Sequence, residues 1–321
     1  MDDLEAVLVL LNACSMEQVG KALLEETEMQ AEWEAPNFNL ETDTQVVLAP
    51  EGKLVGYGAV RDRAPHVRIY AQGRVHPGYT GRSIGTYLSR WAEERARQAI
   101  PRAAEGARVV VQQHTLSTHT AAQTLLRQRG YQLVRHFFSM VIEMDGPLPK
   151  PAVSEGITIR PFVRDQETRA LVLAVRETFK DHWGHVERPF EKDYKEWIHW
   201  MDNDPSFDQS LWFVAVDGEE IAGFSLCYSI VAEDPDMGEV ATLGVRRPWR
   251  RQGLALALLH HSFGELYQRG KPKATLGVDA QSLTGAIRLY EKAGMHVQRR
   301  YDSYEKELRP GKDLSTQSVE D

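Results

Sequence analysis

The sequence predicts an α/β chain made of two similar halves, and three observations support this. The chain has 321 residues, more than one hydrophobic core usually serves. Strand-like alternation and helix-like periodicity recur in the same order in the two halves. The halves are separated by the segment Gly146 to Pro151, whose three prolines can continue neither a helix nor a central strand. We therefore predict two domains.

The first half opens with helical stretches and continues with a strand hairpin. The hairpin turn is Pro50-Glu51-Gly52-Lys53, which has the composition of a tight turn. The expected helices cover residues 4–11, 19–33, 84–99 and 120–129, and the expected strands cover residues 45–49, 54–60, 66–75, 108–112 and 131–143.

The second half repeats this order, with one extra strand at residues 157–160 before its first helix. Either the first domain lacks that strand or its start lies upstream. The expected helices are 165–179, 254–269 and 285–293, and the strands 212–228 (a hairpin), 238–245, 274–278 and 295–308. The predicted ranges are a first domain at 1–145, a linker at 146–155, a second domain at 156–309 and a loose polar tail at 310–321.

Aligning the halves supports a duplication. Val75 falls on Val245 and Gly85 on Ala255 with one constant offset. With a second offset, Ala122, Leu125 and Gly130 fall on Ala286, Leu289 and Gly294.

Composition excludes several classes of protein. The net charge is −8 and the basic residues form no long stripe, so nucleic acid is not expected as a partner. Asp2, Asp3 and Glu5 precede the first apolar run, where a signal peptide needs positive charge. No stretch is apolar enough to span a membrane. Cys14 and Cys227 support neither a disulfide framework nor a cysteine zinc site. We expect a cytoplasmic protein without a metal.

The stretch from Val245 to Ala255 indicates a phosphate site. A strand ends and a helix begins there, and a helix N-terminus offers unpaired N–H groups and a positive dipole end. Gly253 and Ala255 keep bulky side chains away, while Arg250 and Arg251 supply positive charge. The alternative is an ordinary basic helix start on the surface.

This stretch resembles the phosphate loop of the GCN5-related N-acetyltransferase family, which reads Arg/Gln-x-x-Gly-x-Gly/Ala. The later run from Ser282 to Gly294 is similar to the family's Ala-x-x-Leu-Tyr-x-x-x-Gly helix. Both motifs occur in the family's order, and the first half resembles it more faintly, as in tandem members. The resemblance implies α+β domains, each with a mixed, mostly antiparallel sheet flanked by helices.

The resemblance also implies acetyl-CoA as the acetyl donor. Its pyrophosphate would lie on the amides of Arg251, Gln252, Gly253, Leu254 and Ala255. Its pantetheine would lie beside Leu243, Gly244 and Val245 like an added strand. Ser282 stands where the family usually has Asn, and it serves equally well as a helix cap.

Two side chains match the family's catalytic positions. Tyr290 matches the tyrosine that protonates the leaving thiolate, and Glu239 resembles the strand carboxylate that accepts a proton from the amine. The alternatives are a core-facing tyrosine and a solvated carboxylate at a strand end. The backbone N–H of Leu243 or its neighbour is the expected oxyanion donor.

The first half departs from the family at each of these positions. Its loop runs from Thr80 to Gly85 without the leading Arg, and Ile69 and Leu126 stand where the second half has Glu239 and Tyr290. We expect this domain to be catalytically silent. Residual CoA binding through Gly81, Arg82 and Gly85 stays open.

The acceptor is predicted to be a small-molecule primary amine that attacks the thioester directly. Candidate wall residues follow the first helix of the second half, at Asp181 to His185 and at Trp197, Trp200, Asp202 and Asp204. An alternative acceptor is a cysteinyl amine of the mycothiol synthase type. A non-enzymatic alternative is a CoA-sensing or partner-binding protein. The sequence does not indicate the oligomeric state.

Overall fold

The computed structural model describes residues 3–146, 148 and 153–318. The chain forms two compact units, and neither is continuous in sequence. Unit 1 comprises Met1–Arg135, Arg188–Pro205 and Tyr301–Leu314. Unit 2 comprises His136–Glu187, Ser206–Arg300 and Ser315–Asp321.

Unit 1 is a five-stranded sheet with helices on both faces. Its strands follow the order β1-β2-β3-β4-β11, in which only β3 and β4 are parallel. Its helices are α1 (Leu4–Val19), α2 (Glu26–Trp33), α3 (Leu40–Asp43), α4 (Ile84–Arg97), α5 (Thr120–Gln128) and α7 (Phe190–Asn203). Its strands are β1 (Thr44–Leu48), β2 (Leu54–Asp62), β3 (Arg68–Val75), β4 (Val109–Leu116) and most of β11 (His296–Arg309).

The alternation of β2 shows how its two faces are covered. Tyr57 and Ala59 pack with the buried residues of α1. A side chain at Gly58 would instead meet Trp91 and Leu88 of α4. Small residues on the α4 face therefore let that helix lie close to the strand.

Unit 2 is a six-stranded sheet in the order β6-β7-β8-β9-β10-β5, in which only β9 and β10 are parallel. Its strands are β5 (Gln132–Glu143, from His136 onward), β6 (Ile157–Pro161), β7 (Trp212–Asp217), β8 (Glu220–Tyr228), β9 (Met237–Val245) and β10 (Lys273–Asp279). Its helices are α6 (Arg164–Phe179), α8 (Leu254–Gln268) and α9 (Ala286–Lys292).

The core of unit 2 lies between the sheet and helices α8 and α9. Leu259, Phe263 and Leu266 of α8 are fully buried there against Val240 and Leu276 of the two parallel strands. Gly238 faces the same helix, since a side chain at that position would strike Leu266. The packing thus fixes the face of β9 that is turned toward α8.

The predicted mixed, mostly antiparallel sheet flanked by helices is confirmed in each unit. The structure also contains an arrangement that the sequence did not indicate. Strand β5 comes from the first half but belongs mainly to unit 2, and most of β11 comes from the second half but belongs to unit 1. The linear domain ranges 1–145 and 156–309 stay a prediction of where the repeat lies.

The described part of the predicted polar tail forms backbone hydrogen bonds. The backbone of Lys312 pairs with Gly106 and Arg108 in unit 1, with N···O distances of 2.8 Å. Thr316 pairs with Gly184 and His185 in unit 2 at 2.7 and 2.8 Å. Of the predicted linker 146–155, residues 147 and 149–152 lie outside the described part of the chain.

Candidate active site

The predicted phosphate loop forms a tight turn between β9 and α8. A short 3-10 turn at Arg247–Trp249 is followed by Arg251 at φ 63° and Gly253 at φ 83°, and α8 starts at Leu254. No described side chain caps this helix start. The first N–H groups of α8 are therefore available to an anion.

The arginines of this loop have different partners. Arg250 donates to the carbonyl of Val245 at 2.9 Å and to the carboxylate of Asp181 at 2.5 Å. Arg247 donates to the same carboxylate at 2.6 Å. Bonds from Arg247 and then Arg250 hold the pKa of the buried Asp181 carboxyl below its usual value. Arg251 is exposed, so it is the cation best placed to meet a ligand.

The two parallel strands diverge next to Glu239. Their pairing runs from Lys273 opposite Met237 to Thr275 opposite Glu239 and does not extend beyond that pair. On the other side of β9, the register with β8 shifts, because Leu226 faces Thr242 while Cys227 faces Val240. Ala241 is thus the extra residue of a β-bulge. The bulge lies at the point where the strands separate.

The bulge decides which face each side chain of β9 occupies. Val240 packs toward α8, so alternation turns Glu239 to the opposite face. After the bulge the order reverses, and Leu243 and Val245 pack against Leu254 and Leu258 of α8. Gly244 then faces α6, since a side chain there would meet Thr178.

Tyr290 lies on α9 in the core of unit 2, and 8% of its surface is exposed. Burial alone raises the pKa of its hydroxyl to about 12. No described residue forms a hydrogen bond with that hydroxyl. The phenol therefore stays protonated at neutral pH and can donate a hydrogen bond to an incoming group.

Ser282 is engaged at the start of α9. Its hydroxyl lies 3.3 Å from the N–H of Thr284 and 3.4 Å from that of Ala286, placed to accept from both. The helix itself begins after Gly285 at φ 75°. These contacts engage the Ser282 hydroxyl in the turn that leads into α9. Whether Ser282 also contacts CoA stays a prediction.

Unit 1 keeps the backbone of the phosphate loop but not its residues. A 3-10 turn at Pro77–Tyr79 is followed by Gly81 at φ 75° and Ser83 at φ 64°, and α4 starts at Ile84. The two positive φ angles fall where Arg251 and Gly253 have them. Ser83 stands where the motif of unit 2 has Gly253, and the turn keeps its shape without that glycine.

Unit 1 lacks the bulge. Strands β2 and β3 pair without a break from Gly56 opposite Val75 to Asp62 opposite Ile69. Regular alternation therefore puts Ile69, fully buried, on the α4 face, whereas Glu239 faces α6. Arg74 occupies the position of Gly244, and burial lowers its pKa.

Comparisons with known proteins agree with this geometry. The model of the acetyltransferase (GNAT) family matches residues 5–131 and 172–295. The chain belongs to the GNAT acetyltransferase family. A mycothiol acetyltransferase of Streptomyces scabiei is 30% identical over 293 residues, covering 90% of this chain and 87% of that protein.

Two solved structures resemble the chain over nearly its full length. A GCN5-related N-acetyltransferase from Sphaerobacter thermophilus is 37% identical with a TM-score of 0.79, covering 98% of this chain and 95% of that one. A tandem GNAT protein from the clavulanic acid biosynthesis pathway is 15% identical with a TM-score of 0.70, covering 97% and 96%. The second likeness shows the fold alone.

Membership of this GNAT family makes the protein an acetyl-CoA-dependent acetyltransferase. Of the described helices, none is long and apolar enough to span a membrane. Among the described residues no group of three His, Cys, Asp or Glu side chains could hold a metal ion.

The residues predicted to form the acceptor wall are divided between the two units. Asp181 to His185 belong to unit 2, where the Asp181 carboxylate is bound by arginines and Trp183 donates to Gln317 at 3.0 Å. Trp197 and Trp200 lie on α7 in unit 1. There, His199 of the same helix lies 3.4 Å from the carbonyl of Ala31.

Sequence reasoning missed the role of Asp181 as the partner of the loop arginines. Asp181 and Arg247 are 66 residues apart, and neither position belongs to the six-residue motif. The available signal was an acidic residue directly after a helix, which many solvated turns share. The bulge at Ala241 was missed because no glycine or proline marks it.

Proposed function

We propose that unit 2 transfers the acetyl group of acetyl-CoA to the primary amine of a small molecule by direct attack. The observation that carries this proposal is that the phosphate loop, the bulged strand with Glu239 and the buried Tyr290 occur together in unit 2. In unit 1 only the backbone of the loop remains. CoA would lie with its pyrophosphate on the amides from Arg251 to Ala255.

Glu239 is proposed as the general base, directly or through water. The acceptor nitrogen must lose one proton before it can attack the thioester carbon, and a half-buried carboxylate at the strand divergence can take it. As the C–N bond forms, negative charge develops on the carbonyl oxygen. A backbone N–H at Leu243 or its neighbour, next to the bulge, would stabilise that charge.

Tyr290 is proposed as the donor to the leaving sulfur. A phenol with a pKa of about 12 is a weaker acid than a thiol, whose ordinary pKa is about 8.5. Complete transfer of the phenol proton to the thiolate is therefore energetically unfavourable until the nitrogen of the tetrahedral intermediate loses its second proton. We infer that Tyr290 donates a hydrogen bond to sulfur as the C–S bond breaks, and that its proton follows and is replaced from nitrogen or solvent.

The acceptor is a small amine in this proposal, and a cysteinyl amine is its second candidate. The relative from Streptomyces scabiei supports that candidate, because the chain covers 87% of a mycothiol acetyltransferase. A panel of amines that includes a cysteinyl sugar separates the two. The acceptor that gives the highest kcat/KM identifies the class.

Release of CoA thiol from acetyl-CoA across this panel tests the catalytic roles. We expect Tyr290→Phe and Glu239→Gln each to lower kcat by about 100-fold, as loss of a general acid or base does. KM for acetyl-CoA should change little, since neither side chain belongs to the phosphate loop. Tyr267→Phe, on α8 beside the same core, and Glu219→Gln, in an exposed turn, are the controls. Wild-type rates in both active-site variants would refute the assignment.

The location of the acetyl-CoA site is tested by binding rather than turnover. Saturation with CoA should fill one tight site per chain, and two tight sites of equal affinity would contradict a silent unit 1.

We place the protein in the cytoplasm in this proposal, where acetyl-CoA is available to it.

A further inference from the structure

The C-terminal segment Ser315 to Gln317 is bonded to the loop that follows α6. The N–H of Gly184 donates to the carbonyl of Thr316 at 2.7 Å, and the N–H of Thr316 donates to the carbonyl of His185 at 2.8 Å. The Thr316 hydroxyl donates to the carbonyl of Lys180 at 3.0 Å. Because Lys180 is the C-cap residue of α6, this last bond satisfies a carbonyl that the helix leaves unpaired.

A side-chain bond completes the attachment. The indole N–H of Trp183 donates to the Gln317 side-chain oxygen at 3.0 Å. The loop from Lys180 to His185 is thus held at both ends and in its middle by residues of the tail. The left-handed φ of 77° at Gly184 lets the loop turn back along the tail.

The loop from Lys180 to His185 also binds the arginines at the start of the phosphate loop. Asp181, next to Lys180, is 3% exposed and accepts from both Arg247 and Arg250. One turn earlier on α6, Glu177 accepts from Arg246 at 2.7 Å. Carboxylates at the end of α6 and just after it therefore bind the arginines of the turn that leads into the phosphate loop.

Charge and burial show why the position of this carboxylate matters. Arg250 spans from Asp181 to the carbonyl of Val245 and so fixes the end of β9 relative to the turn. A displaced Asp181 would leave two guanidinium groups free to adopt other rotamers. Binding CoA would then have to order them, and that ordering lowers affinity.

We propose that Ser315 to Gln317 is a positioning element of the CoA site, acting through Asp181. The segment holds the loop after α6, the loop holds Asp181, and Asp181 orients Arg247 and Arg250 beside the amides that receive the pyrophosphate. This inference rests on the proposed placement of CoA at Arg251 to Ala255. Nothing in it depends on the roles of Glu239 and Tyr290.

The test compares two shortened chains. A chain ending after Leu314 loses every contact that Ser315 to Gln317 makes with the loop after α6, whereas a chain ending after Ser318 keeps them all. We expect the dissociation constant of CoA, measured by calorimetry, to rise about tenfold in the first chain, the equivalent of one or two lost bonds. It should be unchanged in the second. The kcat at saturating acetyl-CoA should stay within about twofold of the full chain, because the reacting groups are untouched.

Point variants cover the case in which the shorter chain folds poorly. Thr316→Val removes only the hydroxyl that bonds to Lys180 and should weaken CoA binding about threefold. Thr316→Ser restores the hydroxyl and should restore the affinity. Ser318→Ala is the matched control. Unchanged CoA affinity in both the chain ending at Leu314 and Thr316→Val would overturn the proposal.

A double variant tests whether the effect passes through Asp181. Asp181→Glu keeps the charge but moves the carboxylate, so it should weaken CoA binding by itself. In that background, truncation after Leu314 should add less than about twofold, since coupled changes are not additive. If the increases in the CoA dissociation constant caused by Asp181→Glu and by the truncation multiply in full, Ser315 to Gln317 acts by a route other than Asp181. If Tyr290→Phe and Glu239→Gln kept full rates while the tail effect held, the catalytic roles would fail and this inference would stand.

Discussion

Burial keeps Tyr290, the proposed hydrogen-bond donor to sulfur, in its protonated form. Its phenol lies among apolar side chains of unit 2, and that burial raises its pKa to about 12. Burial of the neutral phenol contributes stability that is fully present below the unfolded pKa of about 10. That contribution is lost as the pH rises through about 12. The group thus remains a hydrogen-bond donor throughout the range in which the acceptor amine loses its proton.

This shift predicts the alkaline side of the pH profile. If Tyr290 donates from its protonated form, kcat at saturating substrates should show no loss with a pKa near 10, the value of an ordinary tyrosine. The measurement is the pH profile of kcat up to about pH 10.5, where an ordinary tyrosine would already be mostly ionised. An alkaline loss near pH 10 that disappears in Tyr290→Phe would show that the buried phenol ionises normally, contrary to the structure.

Sequence motifs select individual side chains but do not show what surrounds them in the fold. Tyr290 and Glu239 could be selected as candidates because family motifs fix their spacing in the chain. The environment of each side chain could not be derived, because burial depends on distant segments. The partnership of Asp181 with Arg247 joins positions 66 residues apart, and only the fold brings them together.

Among the strands and helices, β9 distinguishes unit 2 from unit 1 most clearly, because it carries a bulge that β3 lacks. One extra residue at Ala241 reverses the alternation along the strand, so Glu239 and Gly244 share the α6 face. Strand β3 has no such insertion against β2. The constant offset between the halves pairs Ile69 with Glu239, but the extra residue at Ala241 shifts the register of β9 by one position before the bulge. The offset could not show that their side chains point to opposite faces.

Two glycines on either side of the phosphate turn should respond differently to a side chain. A Cβ at Gly244 would lie 2.7 Å from Thr178 and closer still to the fully buried Phe224. Such overpacking costs about 2 kcal/mol. A Cβ at Gly253 meets nothing within 4 Å, and Ser83 adopts the matching conformation in unit 1. Gly253→Ser should therefore cost only about 1 kcal/mol of left-handed strain.

Denaturation with urea gives the comparison. Gly244→Ala should unfold at a lower urea concentration than Gly253→Ser, and both should unfold below the wild type. The reverse order would mean that β9 relaxes around the new methyl group more easily than the turn accepts a side chain.

For the whole molecule, the repeated α/β domain fold could be predicted from the sequence, but helix α7 and the assignment of β5 and β11 to the two sheets could not. Hydrophobic periodicity located β5 and β11, since each is a long alternating segment. The same pattern fits either sheet equally well, because periodicity records which residues are buried and not which strand lies beside them. Helix α7 was not predicted at all, and its place in unit 1, although it follows α6 in sequence, could not be read from the chain order either.

The duplicated loops make a matched experiment on where the protein works. Arg251 is exposed in the loop of unit 2, and in unit 1 Arg82 lies over the ring of Tyr79 at 4.7 Å. Arg251→Glu puts a negative charge beside the proposed pyrophosphate site and should raise KM for acetyl-CoA by at least about tenfold, the scale of a lost charge-assisted bond. Arg82→Glu makes the same change of charge in unit 1 and should leave kcat and KM within about twofold of the wild type.

The two variants also separate binding from catalysis. If unit 1 holds a CoA molecule, Arg82→Glu should reduce the number of CoA molecules bound per chain while turnover stays constant. A rise in KM for acetyl-CoA in Arg82→Glu comparable to that in Arg251→Glu would contradict a silent unit 1. Measuring bound CoA and turnover on the same preparations therefore shows which loop serves the acetyl transfer.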